Sequence, residues 1–157
     1  MQKAIFGILI MGLFLITSCS KSNSTSGNSW IFRTVTYNTV TSQGVAATLT
    51  TSNATTSNIG TFGTVTCTFF GTTLPASGNT YTVVKGVPTN NTQVAIAATT
   101  AGGTVNYTST GGNGTNDIVT VSVSNGKVTV TGSGVELVNT ASASDSSALT
   151  LNITQLQ

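Results

Sequence analysis

Val119-Thr-Val-Ser-Val-Ser-Asn-Gly-Lys-Val-Thr-Val130 alternates apolar and polar residues on both sides of an Asn-Gly pair. Asn125-Gly126 suits a two-residue type I′ turn, in which both residues need positive φ. That turn sets the register. Ser124 faces Lys127, Val123 faces Val128, and Val121 faces Val130, so the valines share one face and the Ser, Thr and Lys side chains the other. The segment therefore reads as an antiparallel hairpin with one core face and one wet face.

The same period of two recurs on both sides of it. Trp30 to Val40 reads as one strand, with Trp30, Phe32, Thr34 and Thr36 on one face and Ile31, Val35 and Tyr37 on the other. Val45 to Thr51 places Val45, Ala47 and Leu49 together, and Thr61 to Phe70 sets Val65, Cys67 and Phe69 against Thr64, Thr66 and Thr68. Shorter runs are Tyr81 to Val84, Val94 to Ala98, Thr104 to Thr108, Val135 to Val138 and Leu149 to Ile153. About nine or ten short strands separated by Gly, Asn and Ser clusters predict an all-β antiparallel β-sandwich, with a lipocalin-like β-barrel as the alternative. Composition agrees, because Thr and Val abound while Glu, Lys and Leu are scarce.

The N-terminus differs in kind. Lys3 precedes an unbroken apolar run, Ala4 to Ile16, that is shorter than the about 20 residues a membrane-crossing helix needs. It fits the apolar part of a cleaved signal helix. The run ends in Ile16-Thr17-Ser18-Cys19, which resembles the lipobox of bacterial lipoproteins. The resemblance implies cleavage before Cys19, diacylglycerol on its thiol and an N-acyl chain on its new amino terminus. Two or three acyl chains hold a protein durably on a bilayer, whereas one does so only marginally. Ser20, in place of Asp, matches the sorting pattern of outer-membrane lipoproteins, which implies an address on the periplasmic side or the cell surface. Ser20 to Ser29 is polar and Gly/Ser/Asn-rich, the composition of a flexible tether, with an extended reach of roughly 35 Å. The chain thus divides into a signal peptide (1–18), a tether (19–29) and a β domain (30–157).

Chemistry is thinly supplied. The 157 residues hold five Lys or Arg, three Asp or Glu and no His, for a net charge of +2. Without His there is no His-based triad and no His metal site, and so few cations make no surface for a nucleic-acid backbone. The acids Asp117, Glu136 and Asp145 are far apart in sequence and fall in no metal or glycosidase motif. They read as a turn Asp, a strand Glu and a loop Asp. Lys127, beside the turn on the wet face, has no neighbour to activate it, and a dyad built on it or on Lys85 lacks support. Cys67 reads as a small buried apolar residue. Gly111-Gly112-Asn113-Gly114 leads into a strand and not a helix, so it reads as a loop and not a phosphate cradle. No catalytic residue, metal or cofactor is expected beyond the Cys19 lipid.

Ligand binding is the open alternative. Trp30, Tyr37, Tyr81 and Tyr107 are the candidate ligand-binding aromatics, since exposed coplanar rings suit sugar faces. Packing, with the polar tips at the surface, is their other reading. A deep cavity lined by Phe62, Phe69 and Tyr81 would likewise favour a small ligand. Few charges also leave strand edges poorly guarded against pairing with a partner. Leu74 to Tyr81, the Gly126–Gly132 segment and the closing apolar strand together resemble the small all-β lipoproteins of Bacteroidota. That likeness implies a fold and a host, and carries over no functional residue. The expected role is a lipid-anchored, non-catalytic structural or interaction module, or alternatively a glycan- or small-ligand-binding lipoprotein.

Overall fold

The computed structural model describes residues 27–111 and 117–157. The signal peptide, Cys19 and most of the tether lie outside the described residues, as does 112–116, most of the Gly111–Gly114 loop.

The strands in chain order are β1 (Ser29–Phe32), β2 (Val35–Asn38), β3 (Thr41–Val45), β4 (Thr48–Ser52), β5 (Thr64–Phe69), β6 (Asn79–Val84), β7 (Gln93–Thr100), β8 (Val105–Ser109), β9 (Ile118–Ser124), β10 (Lys127–Asn139) and β11 (Ser142–Thr154). A single 3₁₀ turn, Ala101–Gly103, separates β7 from β8. The β9–β10 hairpin forms in the register read from sequence, pairing Ser124 with Lys127, Val123 with Val128 and Val121 with Val130. Asn125 and Gly126 hold φ of 52° and 73°.

All eleven strands belong to one hydrogen-bonded sheet in the order β2-β1-β11-β10-β9-β6-β7-β5-β4-β3, with β8 bridging β10 and β7. The circuit β10-β9-β6-β7-β8 closes on itself, giving a five-strand barrel with outer strands on both flanks. Of the two expected architectures the barrel alternative fits, and the all-β class holds. One pairing departs from the antiparallel rule, because β6 runs parallel to β7.

Closure depends on one edge of β10 serving two partners while the other pairs with β11. The first half of β10 pairs with β9 and its last residues, Leu137 to Asn139, pair with β8. Between them Gly132 pairs with Leu151 and Val135 with Leu149, so two residues oppose one, a bulge that bends the strand. Gly132 is needed there: a Cβ at this position would sit 2.7 Å from Val119 Cγ1. Ser109 seals the place where β8 meets the end of β6. Its buried hydroxyl donates to Val84 O (2.6 Å) and accepts from Ile96 N (3.2 Å). Asp117 Oδ2 accepts from Glu136 N nearby (2.9 Å).

Two predicted strands are each broken by a turn. The Trp30–Val40 run folds back at Arg33-Thr34, where both residues take positive φ (51° and 66°). Trp30 then pairs with Tyr37, placing on one face two rings that a continuous strand would have set on opposite faces. The Val45–Thr51 run turns at Ala46-Ala47, leaving Val45 61 % exposed while Ala47 and Leu49 are buried. Conversely, the second arm of the hairpin and the run Val135 to Val138 merge into β10. The two ends of the sheet meet at Thr39-Val40, where Thr39 N donates to Asn28 O and Val40 N to Ser52 O (2.8 Å each). Residues 155–157 cover the β3 edge, Leu156 N donating to Ser42 O (2.9 Å). The interior is one continuous apolar cluster that includes Trp30, Phe32, Leu49, Phe69, Ile96, Leu137, Leu149 and Ile153.

Candidate functional site

The candidate aromatics are packed inside. The Trp30 and Tyr37 rings stack 3.8 Å apart at 4°, coplanar as a sugar platform requires, but both are buried and each covers the other. Gly63 makes room for this pair, since a Cβ there would meet Trp30 Cη2 at 2.6 Å. Tyr107 meets Phe32 edge-on at 4.8 Å and lies under the Arg33 guanidinium, 5.1 Å from its ring centre. Tyr81 meets Phe69 edge-on at 5.3 Å. Burial raises the Tyr37 phenol, with Tyr107 adding to the rise and Arg33 opposing it, and burial also raises that of Tyr81. Phe62 is not beside Phe69 and Tyr81. It lies across from the 3₁₀ turn, where Gly102 N donates to its carbonyl (3.0 Å).

Arg33, Asp117, Asp145 and Lys127 are engaged in structure. Asp145 forms an ion pair with Arg33 and accepts from Asn139 Nδ2 (2.8 Å) and Tyr107 Oη (3.5 Å). Asp117 holds the β10 backbone at Glu136, as above. Lys127 Nζ donates to Leu156 O (2.6 Å). Full burial pushes the Cys67 thiol up to about 12, where it is no nucleophile at neutral pH. Among the described residues no group of three or more His, Cys, Asp or Glu side chains stands close enough to hold a metal ion. Among the same residues no helix is long and apolar enough to cross a membrane.

One open hollow is mostly apolar. The β3–β4 turn, the end of β5 and the β6–β7 connection enclose a depression of about 600 Å³, lined by Ala46, Ala47, Phe69, Phe70, Val87 and Pro88 among others. Phe69 N donates to Ala47 O (2.9 Å), which locks the end of β5 against the turn. Phe69 is buried, whereas Phe70, next in sequence, is 49 % exposed and Val87 is 83 % exposed. A smaller hollow of about 210 Å³ lies beyond Phe70, bounded by Leu74, Pro75 and Tyr81. Sequence reasoning missed Phe70 and Val87 as surface groups. The adjacent pair Phe69-Phe70 was the available signal, because alternation forces one of two neighbouring strand residues outward. Nothing local announces that Val87 joins them.

No family model, no curated protein and no solved structure matches this chain.

Proposed function

We propose that this chain is a lipid-anchored, non-catalytic interaction module of the bacterial envelope, held on the outer membrane through an acylated Cys19. The supporting observation is the filled interior. The barrel is read as lipocalin-like in wall but not in use: all five of its strands commit buried side chains, among them Val83, Ile96, Tyr107, Val121 and Leu137, to one apolar cluster. With the aromatics and acids committed to packing and pairing, the outer surface is left as the working part, and its most distinctive feature is the apolar depression around Phe70. Growth with a clickable palmitate analogue tests the anchor. Label should enter the wild-type chain and be lost in Cys19→Ala; equal labelling of the two sinks the assignment.

A second reading, a glycan- or small-ligand-binding lipoprotein, draws on the size of the same depression, which is within the range of small-molecule sites. Its nearly apolar lining favours an apolar ligand over a sugar. A glycan array and a set of fatty acids and sterols, screened against wild type and Phe70→Asp, separate the two. Binding that the substitution abolishes supports the ligand reading.

A further inference from the structure

We infer that the loop tips carrying Val45, Phe70 and Val87 form a second membrane contact, dipping into the interface of the bilayer that holds the Cys19 lipid. This rests on the anchored reading proposed above.

The three residues come from separate places, the end of β3, the residue after β5 and the β6–β7 connection, and expose 61 %, 49 % and 83 % of their surface. The Phe69–Ala47 hydrogen bond draws Phe70 against the β3–β4 turn, and Val87 with Pro88 forms the facing wall. Apolar tips that protrude around a hollow suit entry between lipid headgroups, where apolar area at the acyl boundary supplies the binding. The charges agree. The β3–β4 turn and the connections 70–78 and 85–92 contain no Asp or Glu, so no carboxylate has to be stripped of water. Exposed Lys85, two residues before Val87, provides the cation that anionic headgroups attract.

The chain between anchor and barrel permits the contact. Cys19 to Gly27 spans up to about 26–29 Å at roughly 3.3–3.6 Å per residue. The chain joins the barrel beside the Ser52 end of β4, through Asn28 and Thr39, while the tips lie at its Thr48 end, about 14 Å along the strand at 3.4 Å per residue. The span exceeds that separation, so lipid and tips can meet one bilayer surface. Ser20 to Ser26 (SKSNSTS) holds no apolar residue, so this stretch offers the depression no competing occupant.

The test uses the acylated chain carrying Val87→Cys or, as a control, Thr56→Cys. Thr56 is exposed and lies in the β4–β5 connection, at the other end of the same strands. Each is labelled with an environment-sensitive fluorophore, buried Cys67 staying unreactive, and reconstituted into vesicles of phosphatidylethanolamine and phosphatidylglycerol containing headgroup-depth nitroxide lipid. Position 87 should shift to the blue and be quenched several-fold more than position 56. The mass of the Cys19 peptide is read from the same preparation. Acylated Cys19 with position 87 quenched no more than position 56 overturns the loop contact alone. A blue shift at 87 without lipid quenching means a second copy or another apolar partner fills the hollow, and also overturns it. A bare Cys19 removes the anchor and this contact with it.

Discussion

The Trp30 indole and the Tyr37 ring lie 3.8 Å apart and within 4° of parallel, and both are buried. A two-residue turn at Arg33-Thr34 brings them together, seating each ring on the other across the β1–β2 ladder. Aromatic pairs contribute beyond their buried area, so this stack helps hold β2, which among the described residues pairs with no strand but β1.

Truncating Tyr37 should show it. Tyr37→Ala is expected to cost about 3 kcal/mol by the loss of ring burial and the cavity left behind, and Tyr37→Phe less than about 1 kcal/mol. Urea unfolding followed through Trp30, the single tryptophan, reads both. A cost for Tyr37→Ala no larger than for Tyr37→Phe would mean that the stack contributes little.

The turn itself is strained. Thr34 is β-branched and holds a φ of 66°, a region L residues enter at a cost of about 1–2 kcal/mol. Thr34→Gly removes that strain and adds back roughly 0.5–1 kcal/mol of chain entropy. A net gain of about 0.5 kcal/mol in unfolding free energy is expected, and a loss of that size would show the turn to be relaxed.

Ser109 satisfies two backbone groups at the junction of β6, β7 and β8. Ser109→Ala leaves Val84 O and Ile96 N without this partner in a buried setting, at an expected cost of about 2–3 kcal/mol. Hydrogen exchange at the Ile96 amide should quicken more than at amides elsewhere in β7. Uniform acceleration across the strand would point to global loosening instead.

Cys67 makes stability sensitive to alkali. Burial raises its thiol from 9.0 to about 12, so the unfolded chain releases this proton first. The unfolded state then binds fewer protons than the folded one from pH 9 upward, and stability falls by up to about 1.4 kcal/mol per pH unit toward pH 12, having been fully present below pH 9. Burial of Tyr37 and Tyr81 acts in the same direction at higher pH. Denaturant midpoints of wild type and Cys67→Ala between pH 8 and 10 should converge as pH rises. Parallel curves would show the thiol to be ordinary.

Much of the fold was legible because its signals are local. β5 buries Val65, Cys67 and Phe69 and half-buries the threonines between them, as their alternation predicts. The first arm of the hairpin, read from Val119 to Ser124, forms β9 with one further residue at its start. Turns written in Arg-Thr and Ala-Ala were not legible, since neither pair carries the Gly or Asn that usually marks positive φ. The candidate aromatics could be read either as a binding surface or as packing, because a ring's face is free or covered only according to what the fold brings against it; here all four are buried.

The alternation of Val with Thr and Ser, with Asn-Gly at its centre, was enough to specify a sheet, its wet and dry faces and one hairpin's register, because period and turn chemistry act over a few bonds. Closure of the barrel was decided elsewhere. That β10 bends at Gly132 to serve both β9 and β8, that β6 lies parallel to β7, and that Phe70 and Val87 border one hollow are long-range outcomes. They follow from burying a single apolar cluster with few orphaned backbone groups, a condition the whole chain meets together and no short stretch encodes.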